Sequence, residues 1–362
     1  MFFLPLFICL GLALGIVVVG VYTERKVSAF IQDRLGPMHV GPYGVLQLFA
    51  DLLKLLQKED IVPALASKKL FLIAPCLIFI AVFLGYAVLP LSPDLQGSTT
   101  SVGVFFLLAI ISLDIIGILM AGWASNNKYS LLGAMRSVAQ IVSYEIPLGL
   151  SVLCVVMISQ SLNLQDITLQ QGIYSPEYTY LLGIKNWGIE TSQWGGFLSW
   201  NIFRMPLFFV AFIIFFIASL AECNRAPFDI PEAESELVGG FHTEYSGMRF
   251  ALIFLAEYAM MLLVCMLGAI LFFGGWNTPF PNIGFLKLAD WTSGTPGSIW
   301  GDITGIFWLL TKAFVLILVQ MWVRWTYPRL RVDQLMFLCW KVLTPAALIM
   351  VFITGLWRML MI

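Results

Sequence analysis

Apolar runs of about 20 residues recur along the chain, at roughly 2–22, 70–91, 102–124, 137–159, 202–221, 249–273, 304–324 and 338–360. At about 1.5 Å per residue, such a run crosses the roughly 30 Å hydrocarbon layer of a bilayer as a helix. The pattern predicts an all-α, polytopic membrane protein with eight transmembrane helices, residues 1–362 forming a single integral membrane domain. The first run is followed at once by Glu24, Arg25 and Lys26. It has no basic region before it and no small-residue cleavage pattern after it, so it reads as a retained span rather than a signal peptide.

The polar segments differ in kind. In residues 23–69, Gly36-Pro37 and Gly41-Pro42 break the chain, and Tyr43 to Lys58 then reads as a helix. Gln47, Asp51, Lys54 and Lys58 form one polar stripe, while Leu46, Phe49, Leu52, Leu53 and Leu56 fill the other side. That helix is too short and too polar to span, and it is predicted to lie in the membrane interface as an amphipathic element. Residues 222–248 form a second structured segment on the same side. On the opposite side, 160–201 is rich in Gln, Tyr, Trp and Gly, and 274–303 in Gly, Pro and Trp. Their tryptophans fit the headgroup level. No internal repeat of the kind that marks many secondary transporters is evident.

Charge orients the bundle. The segments on one side hold most of the lysines and arginines, from Arg25 to Lys341, whereas the other side keeps only Lys185, Arg204, Lys287 and Arg358. By the positive-inside rule, residues 23–69 face the cytoplasm of a bacterial inner membrane, or the matrix or stroma of an organelle. The net charge of -1 gives no argument for a nucleic-acid partner. Cys9, Cys76, Cys154, Cys223, Cys265 and Cys339 stand apart, without CxxC pairs or Cys/His clusters. No metal, iron–sulfur or haem site is therefore expected in this chain.

Four ionisable side chains fall inside the predicted spans, and each costs about 2.5–3.5 kcal/mol at a helix centre. Glu145 and Glu257 lie nine residues into the fourth and sixth spans, roughly 12 Å below the inner surface. Pro147 cannot donate a backbone hydrogen bond, which frees the carbonyl of Ser143 and suggests a hydrated site. Asp114 is near the middle of the third span, and Lys312 is about a third of the way into the seventh. The bland reading pairs Lys312 with one acid to fix packing. Three acids and one base still leave a carboxylate without a permanent cation, which makes a proton relay or ion path the sharper reading.

The stretch from Ala221 to Arg249 concentrates Glu222, Asp229, Glu232, Glu234, Glu236 and Glu244 among Pro, Phe and Gly. Its run Pro227-Phe228-Asp229-Ile230-Pro231-Glu232-Ala233-Glu234-Ser235-Glu236-Leu237-Val238-Gly239-Gly240 resembles the signature of the H subunits of NADH-quinone oxidoreductase, respiratory complex I, which are subunit 1 of the mitochondrial enzyme. The resemblance continues through Phe241 to Ser246 and Leu255-Ala256-Glu257-Tyr258. Upstream it includes Glu24-Arg25-Lys26, Gln32 to Pro37, Gly41 to Gly44, Ala50-Asp51 with Lys54, Lys58-Glu59-Asp60, Gly122 to Tyr129 and Ser143-Tyr144-Glu145. It covers nearly all of residues 22–331.

The resemblance implies an eight-span protein where the peripheral and membrane arms meet, enclosing most of a tunnel for quinone. Glu24, Arg25, Asp51, Lys54 and Phe228 match positions of that tunnel. Asp229, Glu232, Glu234, Glu236, Glu145 and Glu257 match an acidic path linking quinone chemistry to proton pumping; Asp114 and Lys312 join it on the membrane argument alone. Asp114 stands where the family often has an uncharged residue, and the 160–201 loop is longer than usual. Implied partners are the peripheral quinone-site and iron–sulfur subunits, neighbouring membrane-arm subunits and the lipid bilayer. Quinone is the substrate, FMN and iron–sulfur clusters belong to partner subunits, and no redox cofactor is expected here. A stand-alone proton-coupled transporter, the equivalent subunit of a membrane-bound hydrogenase and a passive scaffold are the alternatives.

Overall fold

The computed structural model describes residues 3–175, 179–184, 190–230, 237–282, 287–293 and 295–361. Among them the regular structure is helical, with two isolated bridges, Pro90–Gln96 and Tyr180–Glu190, as the extended pairing. Among the described residues, six helices are long and apolar enough to cross a membrane: Lys68–Gly85, Gly103–Ala124, Lys128–Ser159, Gly247–Phe272, Ile299–Thr326 and Val332–Leu360. The other two predicted spans correspond to Phe3–Ile31, of 29 residues, and Phe208–Glu222, an apolar helix of only 15.

The Gly247–Phe272 helix is the hub. From Tyr258 to Phe272 every residue is buried, as expected of a helix that is apolar on all faces. It packs against Phe3–Ile31, Lys68–Gly85, Phe208–Glu222 and Ile299–Thr326. The Lys128–Ser159 helix forms a second centre, against Leu113–Ala124, Phe208–Glu222 and Thr344–Met361.

Several boundaries depart from the hydropathy pattern for local reasons. The third span is two helices, Gly103–Ile111 and Leu113–Ala124, joined at Ser112. The fourth begins at Lys128 because Asn127 caps it, its side chain accepting from Tyr129 N–H. The last span contains a π segment, Leu338–Leu343. The amphipathic helix covers Gln47–Gln57 rather than starting at Tyr43, because Pro42–Gly44 forms a tight 3-10 turn. Gly44 sits there at φ 77°, and a Cβ on it would lie 2.2 Å from the Pro37 carbonyl oxygen. None of the Gln47–Gln57 helix is buried, and Phe49, Leu52, Leu53 and Leu56 are all exposed. An apolar face left open in this way suits a membrane surface or a partner chain.

Lys312 serves the far side of the bundle. Its Nζ donates to the carbonyl oxygens of Phe273, Gly275 and Asn277 at 2.7, 2.9 and 2.5 Å and lies 4.5 Å from the centre of the Trp200 ring. The amine thus gathers the turn that follows the hub helix. Lys312→Met is expected to destabilise the assembled protein by about 1–3 kcal/mol, because buried carbonyls lose a charged donor. An unchanged thermal midpoint would show that the turn holds without it.

Candidate functional site

Two groups of charged side chains occupy the lysine- and arginine-rich side and the adjoining interior. The first centres on Glu24, just past the first apolar run. Arg225 donates to Glu24 Oε2 at 2.7 Å, Tyr258 OH donates to the same oxygen at 2.5 Å, and Arg324 pairs with Oε1. The Arg225 guanidinium also stacks 4.1 Å from the centre of the Tyr258 ring. Glu24 and Arg225 are both buried. Two guanidiniums and the Tyr258 hydroxyl thus surround the buried carboxylate and balance its charge. This cluster joins the Phe3–Ile31, Gly247–Phe272 and Ile299–Thr326 helices to the residue two places before Pro227.

Beside it, Arg25 pairs with Asp51 at 2.5 Å, and Gln47 donates to the other Asp51 oxygen at 3.2 Å. The amphipathic helix is thereby tied to the first. Lys54, on the same helix, is exposed. Phe228 is buried, its ring 5.3 Å from that of Tyr144 and edge-on to it. Asp229 pairs with Arg329 at 3.1 Å. Glu232, Glu234 and Glu236 lie outside the described residues. The end of their segment is docked firmly: Ser130 Oγ donates to Phe241 O at 3.0 Å, and a Cβ on Gly133 would come within 2.9 Å of Gly240 Cα. The 23–69 segment is fastened to it by Arg249–Asp60 at 2.6 Å and by Ser246, which donates to Glu59 O at 3.1 Å.

The second group lies deeper. A small cavity of about 10 Å³ is lined by Asp114, Glu222, Asn224 and Glu257, among others. That is room for about one water. A larger cavity, about 290 Å³, is lined by Ser112, Glu145, Gly149 and again Glu222, with apolar side chains around them. Glu222 therefore forms a wall of both. One buried carboxylate oxygen on each of Asp114, Glu145 and Glu222 has no hydrogen-bond partner among the described residues.

The structure thus brings Asp114, Glu145 and Glu257 together through a residue not singled out as a site by the sequence. Glu222 reads there as the first acid of the polar stretch, yet the Phe208–Glu222 helix runs up to it and buries it at 3% exposure. The available signal was its three-residue spacing from Ser219, which places both on one helix face. Lys312, by contrast, is bonded to the carbonyls described above and does not join the acids. The Ser143 carbonyl freed by Pro147 accepts from the Cys339 thiol at 3.0 Å. The π segment places Cys339 there, and Tyr144 OH braces the same pair of helices by donating to Leu335 O at 3.1 Å.

The family described as NADH dehydrogenase matches residues 4–355. Among similar proteins, an NADH-quinone oxidoreductase H subunit of Cytophaga hutchinsonii is 61% identical over 359 residues, 98% of each chain. The chain belongs to the H-subunit family of NADH-quinone oxidoreductases. The H subunit of Chlorobaculum parvum is 54% identical over 346 residues, covering 96% of this chain and 89% of its own, and that of Chlorobium luteolum is 53% identical over the same length, covering 86% of its own. The family match takes in both the Glu24 cluster and the buried acids.

Proposed function

We propose that this chain is the membrane subunit of a proton-pumping NADH:quinone oxidoreductase, that it encloses the quinone's path and that it couples quinone reduction to proton movement. Electrons reach the quinone from NADH through FMN and iron–sulfur clusters in partner subunits. Quinone takes two electrons and two protons to become quinol. In this reading Phe3–Ile31 and Phe208–Glu222 complete an eight-span bundle in a bacterial inner membrane, with the Gln47–Gln57 helix at its surface. Arg25, Asp51, Lys54 and the Glu24 cluster face the polar quinone head, and Phe228 stands beside them.

The observation that carries the coupling is the double position of Glu222. Tyr258, which bonds Glu24, is the neighbour of Glu257 in the chain. Glu257 shares the small cavity with Asp114 and Glu222, and Glu222 shares the larger one with Glu145. Glu257, Asp114, Glu222 and Glu145 thus share two adjoining cavities, the end of the route nearest the Glu24 cluster being Glu257. Acids this close titrate as a group rather than singly. Glu145 lies against the larger cavity together with Phe105, which is 68% exposed on the bundle's outer face. That is a natural place for a neighbouring membrane protein of the complex to receive the proton.

Glu145→Gln and Glu257→Gln are expected to reduce proton pumping and quinone-linked turnover in the assembled enzyme, while NADH oxidation by an artificial acceptor continues. Dye quenching in proteoliposomes measures the first, and absorbance at the NADH band the second. Normal pumping by both variants would rule the route out.

A further inference from the structure

Away from both groups, on the lysine-rich side, the end of Leu113–Ala124 meets the start of Lys128–Ser159 around an open cavity of about 430 Å³. Leu65, Ser67, Trp123, Asn126, Lys128 and Leu131 are among its lining residues. Its walls are well braced. Ser67 N donates to Ala124 O at 3.1 Å, and Asn127 donates from its amide to Glu244 at 2.6 Å while accepting from Tyr129 N at 3.0 Å.

Its charge and polarity are asymmetric. Lys128 is exposed, and Lys68 and Lys69, also exposed, follow Ser67 directly. Against these three amines, Glu244 is an acid at this corner among the described residues, and it is already bonded to Asn127. On the membrane side the surface turns apolar. Ile116, Leu119 and Trp123 share one helix face and are 51%, 37% and 66% exposed, and Leu132 and Met135 are exposed on the adjoining helix. A basic, partly polar cavity that opens onto an apolar stripe at the level of an interfacial tryptophan matches a molecule with an anionic head and hydrocarbon tails.

We propose that this cavity holds the phosphate-bearing headgroup of an anionic phospholipid, with its acyl chains along Ile116, Leu119 and Trp123. Lys128 supplies the main attraction, with Lys68 and Lys69 adding to it. A zwitterionic lipid, which brings its own cation, gains little from the same amines. The lipid would act as a wedge between the Leu113–Ala124 and Lys128–Ser159 helices, independently of the quinone reading.

The test uses the assembled complex in proteoliposomes carrying traces of photoactivatable phosphatidylglycerol or phosphatidylcholine. Phosphatidylglycerol is expected to label residues 122–131 about fivefold or more above phosphatidylcholine, and Lys128→Gln to lower that labelling about fivefold, the effect of one lysine near a membrane surface. Lys341→Gln, on the same side but remote in sequence, should leave it unchanged. Equal labelling by the two lipids overturns the proposal, as does loss of labelling in millimolar inorganic phosphate, which would make this a free-phosphate site. Absence of labelling in the wild type also overturns it, since a neighbouring chain would then fill the corner. The wild-type comparison decides the matter even if Lys128→Gln fails to assemble.

Discussion

Replacing Glu222 with glutamine is expected to stop proton pumping almost completely while leaving the complex assembled. The amide keeps the shape of the side chain but cannot lose and regain a proton, and Glu222 is the wall shared by the two carboxylate cavities. Removing a positioned proton-transfer group costs roughly a hundredfold or more, so quinone-linked turnover should fall by that order. Electron delivery to an artificial acceptor bypasses the bundle and should be unaffected. The effect should exceed that of Asp114→Asn, because Asp114 lines the small cavity but not the larger one. Pumping at the normal proton-to-electron ratio in Glu222→Gln would mean that the shared wall is structural packing.

The second large effect is on stability. In Glu24→Gln, Arg225 stays buried with its counter-charge gone, and Arg324 loses the same partner. Breaking a buried pair by removing one member costs about 3–5 kcal/mol. Assembly of the complex, read by native gel and thermal midpoint, should fall accordingly; an unchanged midpoint would show that water reaches the cluster.

Much of this architecture is legible in the chain because hydropathy and helical period are local properties. The apolar runs, the amphipathic stripe of Gln47, Asp51 and Lys54, and the depth of Glu145 and Glu257 each depend on residues within a few turns. Arg25 and Asp51, which the family resemblance places along one tunnel, pair with each other at 2.5 Å. Other features depend on which helices become neighbours. Lys312 was open to pairing with an acid, but the turn after the hub helix offers three carbonyls at its amine. The Ser143 carbonyl, freed by Pro147, meets a thiol because a π turn in a distant helix brings Cys339 toward it.

By itself the sequence determined an all-helical membrane chain resembling the complex I family and the presence of acids within its apolar runs. Only the tertiary structure decided that Glu222 belongs with those acids rather than with the polar loop, and that Lys312 does not. The reason is physical: where a helix ends and how deeply its last residue is buried are set by the partners packed around it, and a carboxylate's chemistry follows from that burial.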